Sequence, residues 1–277
     1  MPIPDSTLGQ WSHHHAATAS VQAHTAIRDA LVRQGLPVHE MFLQGSYKSD
    51  TNLRRDSDVD LVVQLDERLR PRVAALTGPQ LQDNESHKLA YGRWQSFRRL
   101  VLAALRARFG QAVTPGRKSL KIARGPIPAA ADVVVTLKCG NGIALYIPDE
   151  HRWAVSYPQQ HHSKGARKER GTGGRYKRAT RMFKAARNHL IDSNALAKGT
   201  APSYFVECLL YNVPNGLFRS SLGETYVEVV NWLWAAELAD FTCQNQLVDL
   251  FGSSKDQWSV DKARAFIQAL ARLWNES

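Results

Sequence analysis

The sequence predicts an α+β fold with a helical second half, and three observations carry that reading. Short apolar runs, broken by glycine and proline, alternate with helix-period segments as far as Tyr157-Pro158. Beyond that point the strand signals fade and apolar residues recur at helical spacing. With 43% hydrophobic and 22% charged residues over 277 positions, the chain has the balance of a folded protein able to bury a sizeable core. The expected division is 1–157 as the α+β half, N-terminal helix included, and 158–277 as a helical lobe.

Taken in order, Leu8, Trp11, Ala17, Val21, Ala26, Ala30 and Leu31 predict one long amphipathic helix from Ser6 to Leu36, ended by Gly35. His13-His14-His15 lies inside it. Three adjacent residues point in three directions on a helix and no second cluster of ligands accompanies them, so no metal role is assigned. Val38 to Leu43 reads as a strand that Gln44-Gly45-Ser46 breaks. Asp58 to Leu65 alternates acid and apolar residues as a strand does. His87 to Phe109 reads as a helix carrying Leu89, Trp94, Phe97, Leu100, Val101 and Leu105 on one side. Strands follow at Ser119 to Ile122, Ala131 to Leu137 and Ile143 to Ile147. Helices are expected over 158–170, 174–192, 202–212, 222–238 and Val260 to Trp274, with Pro202 and Pro214 among the breaks.

Several classes are disfavoured. No apolar run approaches the roughly 20 residues that cross a bilayer, and Met1-Pro2-Ile3-Pro4-Asp5 lacks the basic start of an export signal. Cys139, Cys208 and Cys243 are far apart and odd in number, which indicates neither a disulfide framework nor a Cys-x-x-Cys site and fits a reducing cytoplasm. Thirty-six Lys plus Arg against 25 Asp plus Glu leave a formal charge of +11, suited to polyanions or simply to solubility. The segment Lys164 to Arg187 is dense in that charge.

The chemistry concentrates at Gly45-Ser46 and three aspartates. Asp58 and Asp60 are two apart, so on a strand they share a face while Val59, Leu61 and Val63 point behind them. Side-by-side carboxylates repel, and a cation relieves this. Asp132 opens another apolar strand, Ala131-Asp132-Val133-Val134-Val135, from which it can reach the same centre. Glycine lets a backbone approach a phosphate, the serine hydroxyl and nearby N–H groups bind its oxygens, and a helix starting there adds its dipole. Three surface acids at strand starts are the plain alternative.

The run Gly45-Ser46-Tyr47-Lys48, Thr51, and Asp56-Ser57-Asp58-Val59-Asp60-Leu61-Val62-Val63 resembles the signature of the polymerase-β-like nucleotidyltransferases. More narrowly, the chain is similar to the bacterial cGAS/DncV-like nucleotidyltransferases, the CD-NTases. Thr172-Gly173-Gly174-Arg175-Tyr176-Lys177-Arg178, Phe183-Lys184-Ala185-Ala186-Arg187-Asn188 and Pro202-Ser203-Tyr204-Phe205-Val206-Glu207 through Tyr211-Asn212-Val213-Pro214 resemble clade E. The resemblance implies a nucleotidyltransferase core with a mixed sheet, a helical lobe, and an active site in the cleft between. It implies two Mg2+ or Mn2+ ions held by Asp58, Asp60 and Asp132, with Asp132 helping to activate the attacking hydroxyl. Gly45 and Ser46 would hold the triphosphate, Lys184 and Ser203 would grip its β- and γ-phosphates, and Tyr204 would stack on a base.

The function expected is a cyclic oligonucleotide synthase, making a cyclic dinucleotide as a second messenger in antiphage defence. Its substrates are nucleoside triphosphates, with ATP, UTP, GTP and CTP all open. No membrane and no stable nucleic-acid partner is required, an effector answers to the product, and the protein is a monomer. Two alternatives stay open: transfer to an RNA, a protein or a small molecule, and a binding module without catalysis. For Lys184, Ser203 and Tyr204 the plain alternatives are a solvated basic face, a helix cap and core packing.

Overall fold

The structure, a computed structural model, describes residues 2–13, 18–53, 58–76 and 79–276. His14, His15, Ala17, Asp56 and Ser57, all used in the sequence reading, lie outside the described residues. In chain order the elements are α1 (Asp5–Trp11), α2 (Thr18–Arg33), β1 (Val38–Gln44), α3 (Gly45–Ser49), β2 (Val59–Arg68), α4 (Pro71–Ala74), α5 (Pro79–Gln82) and α6 (Glu85–Phe109). Then come β3 (Val113–Pro115), β4 (Leu120–Ile122), β5 (Ala131–Cys139), β6 (Gly142–Ile147) and β7 (Arg152–Ser156). The remainder is helical: α7 (Pro158–Gly171), α8 (Tyr176–Asp192), α9 (Ser203–Asn212), α10 (Leu222–Ala235) and α11 (Val260–Glu276).

Two units emerge, and neither is continuous in sequence. One comprises Ala16–Lys48 and Asp56–Pro158, the other Met1–His15, Ser49–Arg55 and Gln159–Ser277. The first is the α+β unit. Its sheet runs β1-β2-β5-β4-β3, with β6 pairing β5 and β7 pairing β6. β2 and β5 are parallel and the other pairs antiparallel, so the sheet is mixed, as expected. Val59, Leu61 and Val63 of β2 and Val133, Val135 and Leu137 of β5 enter one core with Ile27 and Leu31 of α2 and Trp94, Phe97 and Leu105 of α6. Asp60 and Asp132, one residue out of phase, stand on the opposite face of their strands.

α6 begins at Asn84, whose side chain accepts the His87 N–H at 3.0 Å, and stops at Gly110, where φ is 59°. Its inward stripe is His87, Ala90, Trp94, Phe97, Val101, Ala104, Leu105 and Phe109. Leu89 and Leu100, expected on that stripe, are 58% and 49% exposed. Each lies about 100° of helix turn from the neighbouring buried positions, and the broad Trp94 and Phe97 side chains fix which face turns inward.

In the helical unit the core gathers Tyr176, Phe183, Val206, Leu210, Tyr226, Phe266 and Leu270 from α8 to α11. Ile3 and Leu8 join it. The single long N-terminal helix expected over Ser6 to Leu36 is therefore two: α1 ends at Ser12, where the Oγ bonds back to Gly9 O at 2.9 Å, and α2 starts anew at Thr18. The reason is tertiary. Leu8 of α1 packs on the helical core, while Ile27 and Leu31 of α2 pack under the sheet. For the same reason a cut after residue 157 does not describe the units, because 1–15 and 49–55 go with the helices.

Candidate active site

β1 delivers the glycine turn to the acids by register. Gln44, its last residue, pairs with Asp60 on β2, so Gly45 turns off the strand directly beside that carboxylate. Gly45 has φ 69°, the left-handed region that glycine enters without cost, and a Cβ built on it would overlap Asp60 Oδ2. Ser46 follows on α3. That helix is only five residues long, so its dipole is weak and the phosphate expectation rests on the Gly45 backbone and the serine hydroxyl.

On the other side β2 and β5 run parallel with Asp60 opposite Asp132, which places the two carboxylates next to each other on one face. Both are half-buried. Asp58 is exposed and stands just before β2 begins at Val59, so the strand geometry that makes Asp60 and Asp132 neighbours does not extend to it. Lys121 of β4 pairs with Asp132 from the far side, an opposite charge facing the acid across the ladder. Behind the acids on the same face come Val62 beside Val134, then Gln64 beside Thr136, all buried.

This donor set fits a hard divalent cation in kind. Directly paired carboxylates repel, and oxygen ligands of this sort suit Mg2+ or Mn2+, which take a few carboxylates together with water and substrate phosphates. A Gly45 Cβ would crowd the same Asp60 oxygen, which accounts for glycine there. Among the described residues, however, no three His, Cys, Asp or Glu side chains are gathered into a ready cage. Asp60 and Asp132 form the core of the set, and Asp58 borders it.

The other three expected residues belong to the helical unit. Lys184 of α8 is 2% exposed, and its Nζ donates to Glu207 Oε1 at 2.6 Å and to Thr51 O at 3.0 Å. It is thus committed inside the unit rather than standing on a solvated face. Ser203 does not cap α9; its Oγ accepts from Arg187 Nη1 at 2.7 Å. Tyr204 is 42% exposed, one ring face lying on His161 with centroids 5.3 Å apart and planes at 27°. Its hydroxyl end is buried against Cys208 and Cys243, which raises the phenol pKa. A ring so held is a ledge on which a flat partner can stack.

The described geometry matches the sequence expectation of a nucleotidyltransferase, and comparison with known proteins decides it. Residues 25–102 match a nucleotidyltransferase domain and residues 163–275 match the cGAS/DncV-like nucleotidyltransferase C-terminal helical domain. A cyclic UMP-AMP synthase from Rhodothermus marinus is 42% identical, the alignment taking in 99% of this chain and 98% of that one. The chain belongs to the CD-NTases. The solved Rhodothermus marinus CdnE c-UMP-AMP synthase with Apcpp and Upnpp superposes with a TM-score of 0.85 at 40% identity, covering 99% of this chain and 97% of that one. The Elizabethkingia meningoseptica CdnE cyclic dinucleotide synthase with GTP and Apcpp gives 0.76 at 28% identity, covering 99% and 98%.

Within this CD-NTase, Gly45, Ser46, Asp58 and Asp60 fall in the first domain match and Lys184, Ser203 and Tyr204 in the second, while Asp132 falls in neither. Its place rests on register alone. Thr51 and Glu207 stand in the motifs that carry the resemblance, but the sequence assigned no role to them, nor to His161, Arg181 or Lys121. Glu207 carried a signal: it is the one acid in the apolar run Tyr204-Phe205-Val206-Glu207-Cys208-Leu209-Leu210, and a buried acid requires a partner.

Proposed function

We propose that this CD-NTase is a cyclic dinucleotide synthase. In this reading a ribose hydroxyl of one nucleoside triphosphate attacks the α-phosphorus of another, pyrophosphate leaves, and a second transfer closes the ring. The observation that carries it is the pairing of Asp60 with Asp132 beside Gly45, in a chain 42% identical to a cyclic UMP-AMP synthase. Uridine and adenosine triphosphates are the first pair to test on that ground.

Asp58, Asp60 and Asp132 would hold two Mg2+ or Mn2+ ions, which when bound neutralise the crowded phosphate oxygens and the charge developing on the leaving group. Asp132 accepts the proton of the attacking hydroxyl. Gly45 lets the backbone close on the triphosphate, and Ser46 donates a hydrogen bond to it. Tyr204 offers its exposed ring to a base, and Ser203, steadied by Arg187, donates to a phosphate oxygen. Lys184 enters through Thr51; direct contact with a triphosphate would require it to leave Glu207. The domain roles follow, with the sheet unit carrying the transfer and the helical unit ordering the nucleotides.

Transfer to an RNA draws less support. Four cations of the dense segment, Lys168, Arg181, Lys184 and Arg187, are buried, which leaves a thinner basic face than the sequence suggested. We also place the protein in antiphage defence in the cytoplasm, as a monomer whose product is sensed by an effector. Among the described residues no helix is long and apolar enough to cross a membrane. The test is incubation with Mg2+ and α-labelled UTP plus ATP. Label in a low-mass product with the mass of a cyclic dinucleotide supports cyclisation, whereas label that stays on added RNA or on protein, or in a linear dinucleotide, overturns it.

A further inference from the structure

Two rings of the helical unit stand face to face where α7 meets α9. His161 of α7 and Tyr204 of α9 have ring centroids 5.3 Å apart and planes at 27°, the offset stack that aromatic quadrupoles favour. The two differ in their surroundings. His161 is 9% exposed whereas Tyr204 is 42% exposed, and Phe205, next in sequence, is the ring that packs on the helical core. Burial of apolar area therefore does not explain the pair, because a buried ring supports one that stays in contact with solvent.

His161 is held at its backbone and at its ring. Its carbonyl accepts from Gln244 Nε2 at 2.7 Å, and Gln244 Oε1 accepts from the Tyr176 hydroxyl at 2.5 Å. Gly165, one turn further along α7, leaves the room this amide needs, since a Cβ there would overlap Gln244 Nε2. At the ring, Nε2 lies 3.0 Å from Glu207 Oε2. Burial raises the Glu207 carboxyl pKa, but Lys184 and His161 outweigh this and keep it ionised; an ionised carboxylate only accepts, so Nε2 carries the hydrogen. The other oxygen, Oε1, accepts from Lys184 Nζ at 2.6 Å and from the Thr51 hydroxyl, so turning the carboxylate would break these bonds as well. Among the described residues the buried Nδ1 finds no hydrogen-bond partner, which leaves the Nε2 bond and the stacked face to orient the ring.

We infer that His161 is a positioning residue for nucleotide binding: its imidazole, oriented by Glu207, holds the Tyr204 ring in place so that a nucleobase lies on the exposed ring. This rests on the reading of Tyr204 as a base platform. A ring ordered before the nucleotide arrives loses less freedom on binding, and that is what the support contributes. Every base has a face that stacks, so His161 adds affinity without choosing the base. His161 itself touches no substrate; it acts through Tyr204.

The test uses the full chain with Mg2+ and measures affinities by calorimetry for a non-hydrolysable uridine triphosphate analogue, its adenosine counterpart, and inorganic tripolyphosphate, which has no base. The ratio of nucleotide to tripolyphosphate affinity reports the base contact. His161→Leu removes the flat ring, whereas His161→Phe keeps a flat ring and loses only the bond to Glu207. His161→Leu is expected to lower the ratio about tenfold for both nucleotides, within the range of one base–aromatic stack. In turnover its KM should rise while kcat holds at saturation. His161→Phe should lower the ratio only about threefold, since the stack itself persists. Tripolyphosphate affinity should stay unchanged in both. An unchanged ratio in His161→Leu, equal losses in the two variants, or a tripolyphosphate affinity that falls as far as the nucleotide's overturns the inference and leaves His161 a packing residue. If His161→Leu does not fold, His161→Phe decides alone, a lowered ratio supporting the inference and an unchanged one overturning it. A ratio left unchanged by Tyr204→Ala refutes the base-platform reading, and this inference with it; a ratio lowered by Tyr204→Ala but not by His161→Leu overturns this inference only.

Discussion

Gly45 and Glu207 each make a testable demand of one position, the first by lacking a side chain beside Asp60 and the second by burying a charge inside the helical unit. Replacing Gly45 with alanine places a Cβ into the Asp60 carboxylate at a positive φ. Such strain costs about 1–3 kcal/mol, so Gly45→Ala should lower unfolding free energy in urea by that amount and suppress turnover more than Ser46→Ala does. Glu207 predicts a pH effect. Burial pushes its carboxyl up, but the Lys184 ammonium and the hydrogen bond with His161 outweigh this and leave it well below the ordinary value of 4.5. As pH falls below that value the unfolded chain takes up the proton first, so the stability present above it is lost. Urea titrations at stepped pH should show the gap between wild type and Glu207→Gln widest above pH 4.5 and narrowing below it. Asp60 and Asp132 were legible in the sequence because strand period is local. The commitment of Lys184 was not, since its partner lies 23 residues away on another helix.

At the scale of elements, what positions the acids is the parallel pairing of β2 and β5, bridged by the long helix α6. Leu61 is fully buried between Asp60 and Val62 and ties β2 to the core. Leu61→Ala should destabilise by about 2–5 kcal/mol, seen as a lower urea midpoint, and should weaken metal binding by loosening the strand that carries Asp60. Long helices were readable because α6, α8 and α11 repeat their apolar positions over several turns. β3 and β7 were not read from the sequence, although β4, as short as β3, was. Nor could local pattern show that α1 and α2 serve different cores.

For the whole molecule, the two units interleave along the chain, and each carries its own part of the proposed reaction. The α+β and helical composition was legible because period and punctuation are properties of short windows. The assignment of 1–15 and 49–55 to the helical unit was not, because it depends on Leu8 meeting the helical core and on Thr51 meeting Lys184 and Glu207. The central claim is metal-dependent closure of a dinucleotide ring at Asp60 and Asp132. Mass spectrometry of the products from UTP, ATP and Mg2+, with wild type and Asp60→Asn side by side, tests it most directly. Wild type is expected to give a cyclic dinucleotide with two equivalents of pyrophosphate, and a folded Asp60→Asn no product. A cyclic product made equally by both, or only linear or no products from wild type, would contradict it.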